Sequence, residues 1–322
     1  MNRYKKTLAA CMGAIALSVA ATSCSGNALK ADGEGTLRLA PQFGLTYLPH
    51  VVMQDQGYLT AALPQVTTED IQLSSGGAVT EQLMSGSVDI GYMGTAPFLQ
   101  AVDSGADLKA LSCLDEIPLN LMVADNAKNT IADLTPTDRI ALPGPNSQQM
   151  ATLRIAANKQ FADAHKFDKQ TIALPHPDAM SALTSGQDVN AHFTQAPFTG
   201  LEEQQGAKSI LSSFDVLGPH CLIIAVATTS FVENNPTTVA GFRDALAQSV
   251  DFINKDPQAA AQIMIDNGET TPKEQIAADI SDPEVTWTTE IAGLQTISDE
   301  LTAAGVLTRT GSADELIAKG QR

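Results

Sequence analysis

Apolar and polar positions follow the same succession of helical and strand periods twice along the chain, at a constant offset of about one hundred residues. The first copy carries Leu83, Ser85, Gly86, Ala96, Pro97 and Phe98; the second carries Leu183, Ser185, Gly186, Ala196, Pro197 and Phe198. Each copy reads as a short amphipathic helix ending at the leucine, with the glycine in the left-handed position that closes a helix. Strands are expected at Val88–Ile90 and Val189–Ala191, and the prolines fall in the first turn of the next helix. A further strand and helix precede each copy, at 36–40 and 46–56 and again at 139–142 and 147–160. Strand, helix, strand, helix, strand, helix in each half predicts two mostly parallel sheets with helices on both faces.

Two such sheets imply two lobes, and in sheets of this kind a ligand lies beyond the carboxyl ends of the strands. Apolar runs at Leu119–Val123 and Leu222–Val226 are the expected crossings. Lobe one is therefore placed at 36–122 plus 221–322 and lobe two at 123–220, with helices at 231–254, 257–267 and 284–304 closing lobe one.

The amino-terminal pattern is different. Arg3, Lys5 and Lys6 precede an apolar run from Leu8 to Ala21, which is too short to span a bilayer and has the layout of a secretory signal. Ala21-Thr22-Ser23-Cys24 resembles the lipobox of bacterial lipoproteins, with Ala21 where Leu is usual. The expectation is a signal peptide over 1–23, an acylated Cys24, and a flexible polar tether over 24–35. An ordinary secretion signal with Cys24 merely nearby is the alternative.

The formal net charge of −17 opposes non-specific binding to nucleic acid and to anionic lipid heads. Of four cysteines, Cys11 leaves with the signal and Cys24 is acylated. Cys113 and Cys221 remain, each beside an apolar strand-like run, as a disulfide or as two buried thiols.

Gly57-Tyr58, Ser75-Gly76-Gly77, Leu83-Met84-Ser85-Gly86-Ser87-Val88-Asp89-Ile90-Gly91, Ala96-Pro97, His176-Pro177-Asp178-Ala179 and Ala191-His192-Phe193 together resemble the periplasmic binding proteins of the nitrate, sulfonate and taurine ABC-importer group. The resemblance runs over nearly the whole chain after the leader. It implies an α/β, two-lobed periplasmic-binding-protein fold (type II), with two mixed sheets flanked by helices around a ligand cleft. It also implies capture of a small, commonly anionic solute without chemistry or cofactor. The partners would be an ABC permease and its ATPase, and the place the outer side of a bacterial cell membrane, reached by a lipid-anchored monomer.

Strand ends and helix starts nominate the site. Gln42 and Phe43 follow the first strand; Ser74, Ser75 and Gly76 open a helix, as do Gly94 and Thr95. On the other lobe the nominees are Asn146, Ser147 and Gln148 within a strand-to-helix turn, then His176 and Asp178, then His192, Phe193 and Thr194. Asn146 to Gln149 has a capping-box spacing. Each group has a plain reading beside the functional one: turn, helix cap, or packing residue. Phe43, Tyr92 and Phe193 are the candidate aromatic walls. No Arg or Lys lies in these loops, which points to a singly charged or neutral solute, and no cluster suits a metal. Arg38 and Arg154 read as surface residues.

An enzyme is the first rival, since the same fold hosts catalysts and Ser74, His176 and Asp178 could be imagined as acyl-transfer machinery. No nucleophile elbow, zinc helix or phosphate loop supports it. A sensory module read by a membrane receptor is the second rival.

Overall fold

The computed structural model describes Leu29 and residues 32–186, 188–308 and 312–320. The expected signal peptide, Cys24 and most of the tether lie outside the described residues.

The chain first lays down β1 (Gly35–Ala40), β2 (Val66–Asp70), β3 (Ile90–Gly94) and β4 (Leu108–Glu116). It then forms β5 (Asn120–Val123), β6 (Ile140–Leu142), β7 (Thr171–Ala173), β8 (Ala191–Thr194) and β9 (Lys208–Ser212), and returns with β10 (Ile223–Thr228) and β11 (Thr286–Trp287). Two sheets result, in the orders β11-β4-β10-β3-β1-β2 and β7-β6-β8-β5-β9. Pairing is parallel only within β2-β1-β3 and β7-β6-β8. The remaining pairs are antiparallel. The sheets are thus mixed rather than mostly parallel. The strands flanking the crossings run back against their neighbours, whereas parallel pairing needs a helical crossover before each strand. The change of sheet falls between Glu116 and Asn120, a few residues ahead of the expected 122.

The repeat is real, but its offset slips. Asp89 accepts from the backbone N–H of Arg38, and Asn190 accepts from that of Arg139, so the strand ends correspond at one hundred and one. Gly86 and Gly186 both hold the left-handed conformation. The second copy has one more residue between glycine and strand and one fewer after it. Both strands start later than expected, at Ile90 and Ala191. Pro97 sits in the first turn of helix Thr95–Asp103, but Pro197 precedes helix Phe198–Gln204 instead of entering it.

Alternation along the first sheet separates two apolar layers. Tyr92 and Ala225 face a core with Val239, Phe242, Leu246 and Ile253 of helix Pro236–Lys255. Met93, Ile224 and Val226 face the opposite way, onto Val79, Leu83, Phe98, Ile297 and Leu301. The carboxy-terminal reading needs correction: residues 284–293 hold β11 and irregular chain, helix Leu294–Ala303 follows, and helix Lys273–Ile280 was not expected. The two remaining cysteines are joined: Cys113 on β4 and Cys221 just before β10 form a disulfide with Cα atoms 5.9 Å apart.

Arg38 and Arg154 both serve the frame. The Arg38 guanidinium takes Asp89 in a two-pronged pair, and Arg154 takes Asp168 likewise.

Candidate functional site

Every turn that follows a parallel strand arrives at one cavity of about 460 Å³ between the sheets. Gln42 and Phe43 follow β1, Ser74 to Gly77 follow β2, and Gly94 and Pro97 stand at the end of β3. Opposite them, residues 143–149 follow β6, Leu174 to Pro177 follow β7, and Gln195 and Phe198 follow β8. The strand-end rule therefore holds in both halves at once.

Helices start at this cavity for local reasons. Ser75 is extended and its Oγ accepts from the N–H of Ala78 at 3.3 Å; Ser147 does the same for Met150 at 3.1 Å. Ser147 is the cap, so the Asn146–Gln149 capping box is not formed. The helices Gly76–Met84, Thr95–Asp103, Gln148–Phe161 and His176–Ser185 all present residues of their first turn to the cavity. The first N–H groups of a helix lack partners within it and carry its positive end, so four such ends converge on one space.

Gln148 closes the contact between halves, and Gln149 braces its own half. Gln148 accepts from the N–H of Ala96 at 2.6 Å, while its own Nε2 is buried with no hydrogen-bond partner among the described residues. A side chain at Gly94 would place its Cβ 3.1 Å from Cβ of Gln148, so the glycine admits this approach. Gln149 donates to Oε1 of Gln195 at 3.0 Å. Gln148→Leu is expected to leave the Ala96 N–H buried without an acceptor, lowering stability by about 1–3 kcal/mol in urea titration. The same variant is expected to bind any solute at least about tenfold more weakly, because a donor is lost with it.

Among the described residues no charged side chain lines the cavity. His176 is the one imidazole in its wall. Nδ1 of His176 lies 2.8 Å from Nε2 of His192, and Nδ1 of His192 lies 2.5 Å from Oε1 of Glu202. His192 and Glu202 are fully buried. Burial holds His176 and His192 down to about 3, His176 further through His192. Burial pushes Glu202 up to about 8. All three are neutral near pH 7.

Of the nominated residues, Gln42, Phe43, Ser74, Ser75, Gly76, Gly94, Asn146, Ser147, Gln148 and His176 line the cavity. Thr95 does not: it is fully buried and its Oγ1 donates to the carbonyl of Cys221. Asp178 is exposed outside the cavity. His192, Phe193 and Thr194 are fully buried behind it, with Thr194 at 3.3 Å from Nδ1 of His176. Tyr92 is likewise a core residue, its hydroxyl 2.9 Å from His50. With Asp178 elsewhere and His176 engaged by His192, the imagined Ser74–His176–Asp178 constellation is not assembled. Tyr47, Leu119, Gln195, Phe198, Leu222 and Ile223 line the cavity without having been nominated. Phe198 carried a signal, since its ring follows the repeated Ala-Pro; the aliphatic wall did not.

No curated protein sequence matches the chain. Solved structures do. The alkanesulfonate-binding protein SsuA from Xanthomonas axonopodis pv. citri, bound to MOPS, is 19% identical with a TM-score of 0.74, over 89% of this chain and 99% of that one. The periplasmic aliphatic sulphonate binding protein SsuA from Escherichia coli is 20% identical with a TM-score of 0.69, over 88% and 97%. The periplasmic nitrate-binding protein NrtA from Synechocystis PCC 6803 is 15% identical with a TM-score of 0.69, over 89% and 86%. These likenesses identify the periplasmic-binding-protein fold. The model of one sequence family matches residues 33–265, and the chain belongs to that family, the NMT1-like family.

Proposed function

We propose that this protein is the extracytoplasmic solute-binding component of an ABC-type importer, taking a small solute with one anionic head of the nitrate or sulfonate kind, zwitterionic taurine included, into the cavity between its sheets. The carrying observation is the cavity itself: the helix starts at Gly76, Gln148 and His176 and an unspent Gln148 amide supply donors, whereas the N–H groups of Thr95 and Ala96 are already taken, and no charged side chain lines it. Donors without a guanidinium suit one negative charge spread over several oxygens. Phe43, 69% exposed at the rim, is a ready apolar cover for the non-ionic end of such a solute. The sulfonate- and nitrate-binding relatives support the same reading.

In this reading the lobes are 36 to about 119 with 221–322, and about 120–220; export and acylation at Cys24 hold the monomer at the membrane beside its permease and ATPase. No helix among the described residues is long and apolar enough to cross a membrane. The protein acts by capture and release, not by chemistry.

A thermal-shift screen of the purified protein against nitrate, methanesulfonate, taurine, longer alkyl and aryl sulfonates, and neutral analogues tests this. One mono-anion series is expected to stabilise the fold by about 2.7 kcal/mol at a hundredfold excess over its Kd. A shift only with neutral or doubly charged solutes, or with none, would overturn the reading.

A further inference from the structure

The Glu202–His192–His176 chain leads from a fully buried carboxyl on helix Phe198–Gln204, through β8, to the cavity wall. Oε2 of Glu202 has no partner among the described residues, so the carboxyl is committed to His192 alone. Such a chain has two hydrogen-bond polarities. With Glu202 ionised, His192 donates from Nδ1 to Oε1 and His176 donates from Nδ1 to Nε2 of His192. That leaves Nε2 of His176 an acceptor, facing the Nε2 donor of Gln149 at 3.4 Å.

Adding one proton reverses every bond. The proton joins Nε2 of His176, the Nδ1 proton of His176 passes to Nε2 of His192, and the Nδ1 proton of His192 passes to Oε1 of Glu202. The carboxyl now donates to His192, His192 donates to His176, and Nε2–H of His176 opposes the Gln149 amide. It is free only for an acceptor in the cavity. No ring is charged in either state.

Resting on the anion-binding reading above, we propose that the cavity takes its anion only in the proton-loaded state, so that each anion enters with one proton held on the Glu202–His192–His176 chain. The solute class is therefore a strong-acid mono-anion captured as a neutral pair, and Glu202 and His192 are positioning residues that set the polarity of His176.

The charged groups around the chain do not supply this proton. On neighbouring elements these are Asp178 on the helix of His176, Glu203 beside Glu202, Lys208 on β9, and Lys273, Glu274 and Asp279 on the helix packed against Gly200. Asp178, Glu203 and Glu274 are exposed, and Asp279 is engaged by Gln275. Around His176 itself stand Gln149, Thr194 and the Phe198 ring, stacked at 5.4 Å. Arg154, on the helix of Gln149, is taken by Asp168. Burial places half-loading of Glu202 at about pH 8.

The test uses methanesulfonate and nitrate as probes, with calorimetry in buffers of different ionisation enthalpy from pH 6 to 10 and nitrogen-15 NMR of the imidazoles. Affinity is expected to be level below pH 7 and to fall about tenfold per unit above pH 8, with uptake approaching one proton per anion. His176 is expected to exchange tautomer over the same range while staying neutral. Glu202→Gln, which removes the titrating proton from the chain, is expected to keep its pH 7 affinity at pH 9.5. Binding above pH 8 without proton uptake, or a single His176 tautomer throughout, would overturn the inference and leave the binding function standing. Failure of every mono-anion to bind at pH 6–7 would overturn the function and the inference together. The wild-type tautomer measurement decides even where Glu202→Gln does not fold.

Discussion

Reduction of the Cys113–Cys221 bridge is expected to lower the free energy of unfolding by up to about 5 kcal/mol, the loop-entropy value for a closure of this length. The cysteines are 108 residues apart, and the segment between them contains the whole second sheet. The bond therefore joins the two points at which the chain leaves the first sheet and comes back to it. In the unfolded chain it prevents those points from separating, so its loss enlarges the unfolded ensemble more than it changes the native one. β4 and β10 stay paired along their length without it, and both sulfurs sit in an apolar layer that tolerates a thiol. A Cys113→Ala, Cys221→Ala double variant is accordingly expected to fold, with a lower urea midpoint and an unchanged solute affinity. Equal midpoints in oxidised and reduced protein would show that the unfolded chain is already restrained near this juncture.

The frame of this fold was legible because its signals are local. The helix starts at Ser75 and Ser147 carry a capping hydroxyl, the left-handed ends carry Gly86 and Gly186, and each parallel strand is followed by a small polar turn. The same signals found the polar rim of the cavity, because strand ends and helix starts converge there. They failed where a side chain's direction depends on a one-residue slip. His192, Phe193 and Thr194 were placed at the cavity because the strand expected over Val189–Ala191 would leave them beyond its end. The strand in fact begins later, and these residues point into the body of the second sheet. Leu119, Leu222 and Ile223 were missed for the opposite reason: an aliphatic residue at a strand end looks the same whether it faces a core or a ligand. Glu202 carried no signal at all. In Leu201-Glu202-Glu203-Gln204 it reads as one face of a solvated helix, and only tertiary packing turns it inward beside His192.

Glu202 and its buried neighbours also set how stability responds to pH. Its native pKa of about 8 stands above the ordinary 4.5, raised by burial. Asp115 is raised as well, because it is fully buried with no well-formed hydrogen bond to either oxygen among the described residues; the amide of Ile223 offsets only part of this. A carboxyl raised in this way contributes its full stability below its unfolded pKa and loses it as the pH climbs towards the native value. His176 and His192, held down to about 3, and His220, held down by burial, act the other way. Their contribution is complete above about 6.5, the unfolded value, and is lost as the pH falls. Between 4.5 and 6.5 the two sets oppose one another. Above 6.5 the imidazoles add no slope, while Glu202 still removes about 1.4 kcal/mol per pH unit until the pH nears its native value. Unfolding free energy measured in urea at constant ionic strength is therefore expected to fall by about 2 kcal/mol or more from pH 6.5 to 8, Glu202 alone accounting for that much. Glu202→Gln is expected to remove its share of the alkaline decline, and Asp115→Asn to remove whatever the raised Asp115 carboxyl adds to it. A wild-type profile level from 6.5 to 8 would mean that neither acid keeps its proton in the folded protein. Each would then need a counter-charge that the present packing does not provide.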